Sequence, residues 1–239
     1  VTRLLRADPL GFVNKGNTCY LNATLQCLAH LPTFCQCVTE LPENDRSDGQ
    51  GGKGKRMTKL IRALLREAHR LDEGRGGHNR GYISPGAIVK NLKLLSSVNR
   101  GYKFRPGRQE DAHEFLVHLL DAMNDGELRA AGIDQNQSGW RDRLPFPRLD
   151  ETTFIHRIFG GYLRSQVRCT RCNYKSNTYD PFLDLALEVN KKDSVERAFR
   201  DFTRAETLDV DNQWKCSGCK KRVCAKKQLT VFRPPLSLV

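Results

Sequence analysis

The most informative segment of the sequence is Asn14-Lys15-Gly16-Asn17-Thr18-Cys19-Tyr20-Leu21-Asn22. Asparagine and glycine together are typical of a turn, and the leucines at positions 21, 25 and 28 follow at the spacing of one helix face. We therefore predict a turn and then a helix from Thr18 to about Leu31, which Pro32 closes. Cys19 falls in the first turn of that helix, where unpaired N–H groups and the helix dipole favour a thiolate.

Cys19 is the candidate nucleophile of an acyl-transfer reaction. A free thiol with a pKa of about 8.5 is mostly protonated at neutral pH, so a helix N-terminus or a neighbouring imidazolium is needed to activate it. Acyl transfer also needs donors for the oxyanion, and the side-chain amide of Asn14 and the backbone N–H of Cys19 are the candidates. Position alone leaves a second interpretation open, a buried structural cysteine beside a glycine turn.

The composition is that of a globular chain with a basic excess. The 239 residues are 38% hydrophobic and 28% charged, with a net charge of +13. No apolar run approaches the roughly 18 residues of a membrane span, so we expect no membrane partner. A basic excess can indicate nucleic-acid binding, but the basic clusters at 53–56 and 220–222 are not interleaved with aromatic residues. We therefore favour a solvated basic surface and keep nucleic acid as an alternative partner.

The first half of the chain has the pattern of helices separated by glycine-rich loops. Residues 43–56 are polar and rich in glycine, which predicts an exposed loop. A second helix is predicted from Met57, a third after a cap at Ser84-Pro85, and a fourth from about Gln109 to Met123. Each of these segments has apolar residues at helical spacing, so each has one face for a common core.

After about residue 150 the apolar residues change to the period of strands. The predicted elements are strands at 162–169, 174–180 and 183–189, and a short helix capped by Ser194. Further strand is predicted around the second cysteine pair, ending at 229–231, and an opening strand at 236–239. The predicted organisation is a helical lobe at 10–125, a linker at 126–150 and a strand-rich lobe at 151–239.

Two Cys-x-x-Cys pairs, Cys169 with Cys172 and Cys216 with Cys219, indicate a metal site. Two intervening residues let both sulfurs face one ion from a tight turn, and two such pairs complete a tetrahedron. Four thiolates favour zinc and leave no open coordination position, so we predict a structural zinc. Four unrelated thiols or a redox pair are the alternatives, and Cys224 fits no site that we can name.

Asp111 and Glu114 are three residues apart on the predicted fourth helix, so their carboxylates share a face. From this spacing alone, an ordinary solvated pair is the simplest interpretation. His113 lies between them and could be suggested as the base for Cys19. Adjacency in sequence says nothing about distance, however, and we favour a hydrogen-bonded core histidine.

The segment from Gly11 to Leu28 resembles the cysteine box of the ubiquitin-specific proteases, papain-like thiol enzymes that remove ubiquitin from proteins. Residues 107–116 resemble the glutamine box of that family, and 159–172 and 179–185 resemble its middle, in the same order. The resemblance implies an α+β fold, a papain-like cysteine protease. Its helical thumb lobe would be followed by strand-rich, zinc-bound fingers and the start of the palm sheet.

The resemblance also implies roles for individual residues. Cys19 would be the nucleophile and Asn14 would line the oxyanion hole. Asp111 and Glu114 would grip the basic C-terminal tail of ubiquitin, with Gln109 near that tail or near the cysteine. The fingers would cradle the globular part of ubiquitin. The expected partners are therefore ubiquitin and ubiquitinated proteins, and the expected location is intracellular, in the nucleus, nucleolus or cytoplasm.

The catalytic histidine of the family has a Gly-His-Tyr context, which none of the six histidines of this chain matches. We therefore expect a fragment that lacks the base and its acidic or amide partner and is inactive alone. The expected reaction of the complete protein is cleavage of the isopeptide or peptide bond after the C-terminal glycine of ubiquitin. Two alternatives stay open: a catalytically inactive ubiquitin-binding module, and a basic zinc-finger adaptor for nucleic acid.

Overall fold

The computed structural model describes residues 11–41, 52–72, 82–95, 103–135, 137–145, 148–190 and 192–239. The chain forms two compact units, the first running to Ile158 and the second from Phe159 to Leu238. The first unit is helical and the second is rich in strands, which confirms the predicted mixed class. No helix in the described ranges has both the length and the apolar composition needed to cross a membrane.

The helices up to residue 159 have the following bounds. They are α1 (Cys19–Ala29), α2 (Pro32–Glu40), α3 (Gly52–Asp72), α4 (Gly86–Lys90), α5 (Ala112–Ala130) and α6 (Phe154–Phe159), with 3₁₀ turns at Leu92–Leu95, Trp140–Arg143 and Leu149–Thr152. The predicted apolar face of α1 is buried, with Leu21, Leu25 and Leu28 at most 1% exposed. Helix α1 ends at Ala29 with His30 as its C-cap, two residues before the predicted end at about Leu31. Pro32 begins α2, because a fixed φ and a missing N–H suit the first helical position.

Helix α3 starts inside the segment that we predicted as an exposed loop. Residues 43–51 lie outside the described ranges, but residues 52–56 are helical, so the prediction is wrong for them. A Cβ built on Gly54 would lie 1.9 Å from the carbonyl oxygen of Ala122, and one on Gly126 would lie 2.5 Å from the Lys55 nitrogen. The two glycines therefore allow α3 and α5 to touch backbone to backbone. Helix α5 also continues past its predicted end at Met123, as far as Ala130.

The predicted cap of α4 is also placed differently. The N-cap is Pro85, and no side chain caps the helix, so the prediction of a Ser84 cap is wrong. The reason is that the carbonyl of Pro85 already accepts the N–H groups of Ile88 and Val89, at 2.9 and 3.0 Å. Just before α4, the chain pairs with the segment ahead of α1, since Val13 donates to the carbonyl of Ile83 at 2.9 Å. This pairing anchors the residues that lead into the Asn14 turn.

The second unit is built on a four-stranded antiparallel sheet with the order β2-β1-β6-β3. A separate two-stranded ribbon pairs β4 with β5. The elements are β1 (Gly161–Cys169), β2 (Lys175–Phe182), α7 (Val195–Phe202), β3 (Glu206–Leu208), β4 (Trp214–Lys215), β5 (Arg222–Val223) and β6 (Ala225–Arg233). The predicted cap of α7 is confirmed, because the Ser194 hydroxyl accepts the N–H of Arg197 at 3.3 Å.

Two predicted strands do not form. Residues 183–188 show the expected alternation, with positions 183, 185 and 187 half-buried and positions 184, 186 and 188 exposed, whereas Val189 is exposed against the prediction. The segment joins no sheet within the described ranges. Residues 236–239 likewise form no strand. Alternation predicts which side chains face the protein, whereas a strand also needs a neighbouring backbone to complete its hydrogen bonds.

Candidate active site and metal centre

The turn that precedes α1 is built around the side chain of Asn14. Its Oδ1 accepts hydrogen bonds from the N–H groups of Gly16 at 3.0 Å and Thr18 at 3.2 Å, and from the Thr18 hydroxyl at 3.1 Å. The Thr18 hydroxyl in turn accepts the N–H of Lys15 at 3.0 Å. Because three donors converge on the oxygen, the orientation of the Asn14 amide is fixed, and Nδ2 is its donor end.

A second asparagine ties this turn to a distant loop. Gly16 and Asn17 have left-handed backbone conformations, with φ of 87° and 52°. The Nδ2 of Asn17 donates to the carbonyl oxygen of Gly107 at 2.9 Å, across a separation of 90 residues. Gly107 lies in the loop that leads to α5. The sequence identified Asn17 only as a turn residue, because nothing local signals a partner so far away.

Cys19 is the first residue of α1, as predicted, and its side chain is exposed. Thr18 occupies the N-cap position without a side-chain capping bond, and the first turn contains no acidic residue. The unpaired N–H groups and the helix dipole therefore act on the Cys19 sulfur without an opposing carboxylate in the same turn. A second exposed thiol, Cys27, lies two turns further along α1.

Tyr20 connects the start of α1 to the start of α5. Its ring packs edge-on against Phe115, with 5.7 Å between ring centroids. Burial, together with the negative charges of Glu110 and Cys19, raises the pKa of the Tyr20 hydroxyl. Glu110 is therefore an acidic neighbour of Tyr20, the residue that follows Cys19. Sequence reasoning missed it, although its position directly before Asp111 was an available signal.

Asp111 and Glu114 are both exposed, and only Glu114 has the helical position that the sequence predicts for both. Glu114 lies on α5, whereas Asp111 is the N-cap, with its Oδ1 accepting the N–H of Glu114 at 2.9 Å. The prediction that both are helical is therefore wrong for Asp111, whose backbone is extended. Gln109 is exposed in the preceding loop. The three predicted tail contacts thus lie in one accessible segment at the beginning of α5.

The two histidines of α5 have different environments. His113, considered from the sequence as a base and favoured there as a core histidine, is exposed in the first turn, so the core prediction is wrong for it. His118 is buried and lies with its Nε2 3.6 Å from Oε2 of Glu114, one turn earlier. Its ring packs edge-on against Phe104 at 5.3 Å. His118 is therefore the core histidine of this helix.

The four predicted metal ligands come together in the second unit. The sulfurs of Cys169, Cys172, Cys216 and Cys219 all lie within 4.8 Å of one another. Cys172 and Cys216 are 3.6 Å apart, and Cys169 and Cys219 are 4.0 Å apart. A tetrahedral zinc with bonds of about 2.3 Å has sulfur–sulfur edges of about 3.8 Å. The cluster can therefore hold a four-coordinate zinc, with no coordination position left for water or substrate.

The backbone around Cys169 favours its thiolate form. The N–H groups of Cys172 and Arg171 point at the sulfur of Cys169, at 3.4 and 3.3 Å, and lower the pKa of that thiol to about 7. Val223 and Trp214 pack against the cysteines. The sulfur of Cys224 is not part of the four-thiol cluster.

Comparison with known proteins points to one family along the chain. The model of the family described as ubiquitin carboxyl-terminal hydrolase matches residues 10–239. The chain is 36% identical over 224 residues to human ubiquitin carboxyl-terminal hydrolase 42, covering 93% of this chain and 15% of that protein. It is 37% identical over 227 residues to the probable ubiquitin carboxyl-terminal hydrolase 16 of Schizosaccharomyces pombe, covering 94% of this chain and 44% of that protein.

Solved structures give the same fold. A chain of the SAGA DUB module Ubp8/Sgf11/Sus1/Sgf73 bound to monoubiquitin matches with a TM-score of 0.64 and 23% identity, over 95% of this chain and 46% of that one. The module bound to ubiquitin aldehyde gives a TM-score of 0.65 with 23% identity, over 95% of this chain and 45% of that one. The chain thus spans less than half the length of these relatives. Since the family model covers nearly all of it, the chain belongs to the ubiquitin carboxyl-terminal hydrolase family.

Proposed function

We propose that this chain carries the nucleophile and the ubiquitin-tail site of a cysteine-type ubiquitin hydrolase. The observation that carries the proposal is the Asn14 turn, which fixes an amide donor and leads into the exposed Cys19 at the start of α1. Membership of the family supports the reaction class. The structural neighbours bound to monoubiquitin and ubiquitin aldehyde support ubiquitin as the substrate.

In the proposed reaction the Cys19 thiolate attacks the carbonyl carbon of the C-terminal glycine of ubiquitin. A carbon–sulfur bond forms, and Nδ2 of Asn14 and the N–H of Cys19 donate to the resulting oxyanion. Collapse of the intermediate breaks the carbon–nitrogen bond, and the leaving amine takes up the proton that the thiol gave to the base. Water then hydrolyses the thioester, which releases ubiquitin with a free carboxylate and restores the thiol.

We place the general base outside residues 1–239. None of the six histidines has the Gly-His-Tyr context of the family, and His118 is buried beside Glu114. Without a base, a cysteine at a helix N-terminus loses most of its activation. Residues 1–239 alone should therefore cleave no ubiquitin amide substrate at a measurable rate. A protein that contains this chain together with the general base (the longer protein) should cleave it.

The exposed segment before and within the first turn of α5 is the proposed site for the ubiquitin tail. The carboxylates of Asp111 and Glu114 can accept charge-assisted hydrogen bonds from arginines of an extended peptide, with Gln109 beside them. The bond from Asn17 to Gly107 supports this assignment, because it ties the loop ahead of that segment to the nucleophile turn.

The two sites suggest which role each part of the chain has. We propose residues 10–125 as the thumb and residues 151–239 as the fingers with the start of the palm. The stretch 126–150 between them begins with the last turn of α5, so only its later part can act as the proposed linker. The zinc held by the four clustered cysteines would be structural. All nine cysteines are free, which supports a reducing compartment, so we propose that the protein acts in the nucleus or cytoplasm.

The nucleophile is tested with ubiquitin that carries an electrophile in place of its C-terminal carboxylate, incubated with the longer protein. Intact mass spectrometry should show one added ubiquitin, and Cys19→Ala should abolish the adduct. Cys27→Ala is the matched control, because it removes another exposed thiol of α1 and should leave labelling unchanged. Labelling that survives Cys19→Ala would contradict the assignment.

A cleavage assay distinguishes an enzyme from a catalytically inactive ubiquitin-binding module. Cys19→Ala in the longer protein should abolish cleavage of a ubiquitin amide and leave the affinity for ubiquitin within about twofold. If the unmodified longer protein binds ubiquitin without cleaving it, the binding-module alternative is correct. If it binds no ubiquitin at all, the tail-site proposal fails as well.

A further inference from the structure

One face of the four-stranded sheet carries an unusual row of like charges. Arg168 on β1 is the register partner of Lys175 on β2 and of Lys226 on β6, so the three cations lie side by side on adjacent strands. All three are exposed. Directly opposed like charges on antiparallel strands destabilise a sheet. This cationic row therefore costs stability, and an anionic ligand would offset that cost.

Amide side chains form the next row on the same face. Two positions along the strands, Gln166 is the partner of Asn177 on β2 and of Gln228 on β6. The Nε2 of Gln166 donates to Oδ1 of Asn177 at 2.9 Å. The Nε2 of Gln228 donates to the carbonyl of Thr203 at 3.0 Å, so only the remaining donors and acceptors of this amide row can meet a ligand beside the cationic row.

Aromatic rings and arginines follow at the far end of this face. Tyr179 on β2 contacts Phe232 on β6, with 4.7 Å between ring centroids, and the two side chains are 38% and 61% exposed. Arg164, the β1 partner of Tyr179, lies in the same row. Along β2, four residues separate Lys175 from Tyr179, which corresponds to about 13 Å. Cations, amides and accessible rings are therefore arranged in order across one surface.

Carboxylates are confined to the other face. Among the paired residues of the four strands, none that shares a face with Arg168 is acidic. Asp180 and Glu206 occupy the alternate positions, and Glu206 is neutralised by Lys227 at 3.1 Å. The sorting of charge between the two faces means that a ligand on the cationic face meets no carboxylate from these strands.

We propose that this face of the sheet binds single-stranded nucleic acid, with phosphates on Lys175, Arg168 and Lys226 and bases stacked on Tyr179 and Phe232. Stacking platforms beside a basic track are how proteins hold single strands without reading a fixed sequence. Phosphates match the cationic row and bases match the exposed rings, so a single strand would use both features at once. The basic clusters at 53–56 and 220–222 lack this combination of cations and aromatic rings. On the sheet, the register of the strands brings the cations and rings together.

The test measures fluorescence anisotropy of labelled 20-nucleotide oligo-uridine and oligo-deoxythymidine, titrated with the zinc-loaded chain at several salt concentrations. The row variant K175Q/R168Q/K226Q should weaken binding at least tenfold and reduce the slope of log affinity against log salt by about 2. The ring variant Y179A/F232A should weaken binding about tenfold without changing that slope. The charge-matched control R56Q/K90Q/K93Q removes three exposed cations of the first unit and should change the affinity less than twofold.

Circular dichroism and zinc content of each variant establish that a loss of binding is not a loss of folding. Equal loss in the row variant and the control would mean that net charge alone attracts the strand, which overturns the proposal. Binding of poly-glutamate as tight as that of the oligonucleotides would also overturn it, in favour of an acidic protein partner. Equal affinities for oligo-uridine and oligo-deoxythymidine support binding through the backbone and through base stacking. A higher affinity for one of them also supports the site and shows which of the two oligonucleotides it prefers.

Discussion

The side-chain nitrogen of Asn17 donates a hydrogen bond of 2.9 Å to the carbonyl oxygen of Gly107. The first residue lies in the turn that leads into α1, and the second lies in the loop that leads into α5. This bond makes the position of the nucleophile turn depend on the position of the proposed tail segment. Its loss should therefore affect how the tail of ubiquitin is held more than the chemistry of the thiol.

Asn17→Gly removes that hydrogen bond and keeps the backbone, because glycine adopts a φ of 52° without strain. We expect the affinity of the chain for ubiquitin, measured by calorimetry, to fall about twofold to tenfold, the range of one hydrogen bond. With ubiquitin shortened by its C-terminal tail, the variant and the native chain should bind equally. Asn173→Gly is the control, because it replaces another left-handed asparagine, at φ 58°, in the second unit. An unchanged affinity for intact ubiquitin would refute the link.

Two substitutions of Asn14 separate its two roles. Asn14→Asp keeps an oxygen that can accept the bonds of Gly16 and Thr18 but removes the Nδ2 donor. Asn14→Ala removes both. In the longer protein we expect both variants to lower kcat about 100-fold to 1000-fold with little change in KM, since an oxyanion donor acts in the transition state. If Asn14→Asp keeps full activity, the residue serves only to build the turn.

Removal of one cysteine from the cluster should release the metal. Elemental analysis of the native chain should give one zinc per molecule, and Cys216→Ser should give none. Structural zinc contributes on the order of 10 kcal/mol to small modules, so the near-ultraviolet circular dichroism of Trp214 should be lost. Cys224→Ser is the control, because its sulfur lies outside the cluster, and it should retain the zinc. Retention of zinc by Cys216→Ser would disprove the site.

Gly126→Ala should destabilise the first unit by at least about 2 kcal/mol, because the added methyl group meets backbone atoms of α3 that cannot rotate away. Urea unfolding followed by the helical circular dichroism signal measures this change. Gly11→Ala is the control, since a Cβ there meets no heavy atom within 4 Å and φ is not in the left-handed region. Equal stability of the two variants would mean that α3 and α5 separate at little cost.

Glu127 makes the stability of the α6 region depend on pH. Its carboxylate accepts the N–H of Phe154 at 3.0 and 3.3 Å, and burial raises its pKa despite that bond and the nearby Arg157. The folded state therefore holds the proton to a higher pH than the unfolded state, whose value is 4.5. It follows that this residue's contribution to stability falls as pH rises from about 4.5 through the raised pKa.

Glu127→Gln keeps an acceptor for Phe154 and removes the titration. Hydrogen exchange of the α6 amides, corrected for intrinsic rates, should show a smaller loss of opening free energy from pH 4.5 to 7 in the variant than in the native chain. Glu40→Gln, on the exposed end of α2, should follow the native pH dependence. A native chain that gains stability over this pH range relative to Glu127→Gln would reverse the sign and exclude the mechanism.

The sequence predicted those features of the site that depend on residues close together in the chain. It did not predict the contacts between residues that are far apart in the chain. The start of α1 at Cys19 and the four zinc ligands follow from short motifs, because turn residues and Cys-x-x-Cys spacing act within a few positions. The helical start of α3 depends on Gly126, which lies far along the chain, so a glycine-rich sequence was mistaken for a loop. The cationic row has the same origin, since Arg168 and Lys226 become neighbours only through strand register.

The pairing of β1 with β6 also governs how the second unit assembles. The β1–β2 hairpin can zip from a short connection, whereas β6 must return from 43 residues downstream of Phe182 before the sheet is complete. Contacts of such long sequence separation slow folding, because the chain loses loop entropy before it gains the ladder. The turns that carry Cys169 and Cys216 lie beside the ends of β1 and β6 where that pairing begins. An ion bound by these cysteines would therefore hold the strand ends together and nucleate the sheet during folding.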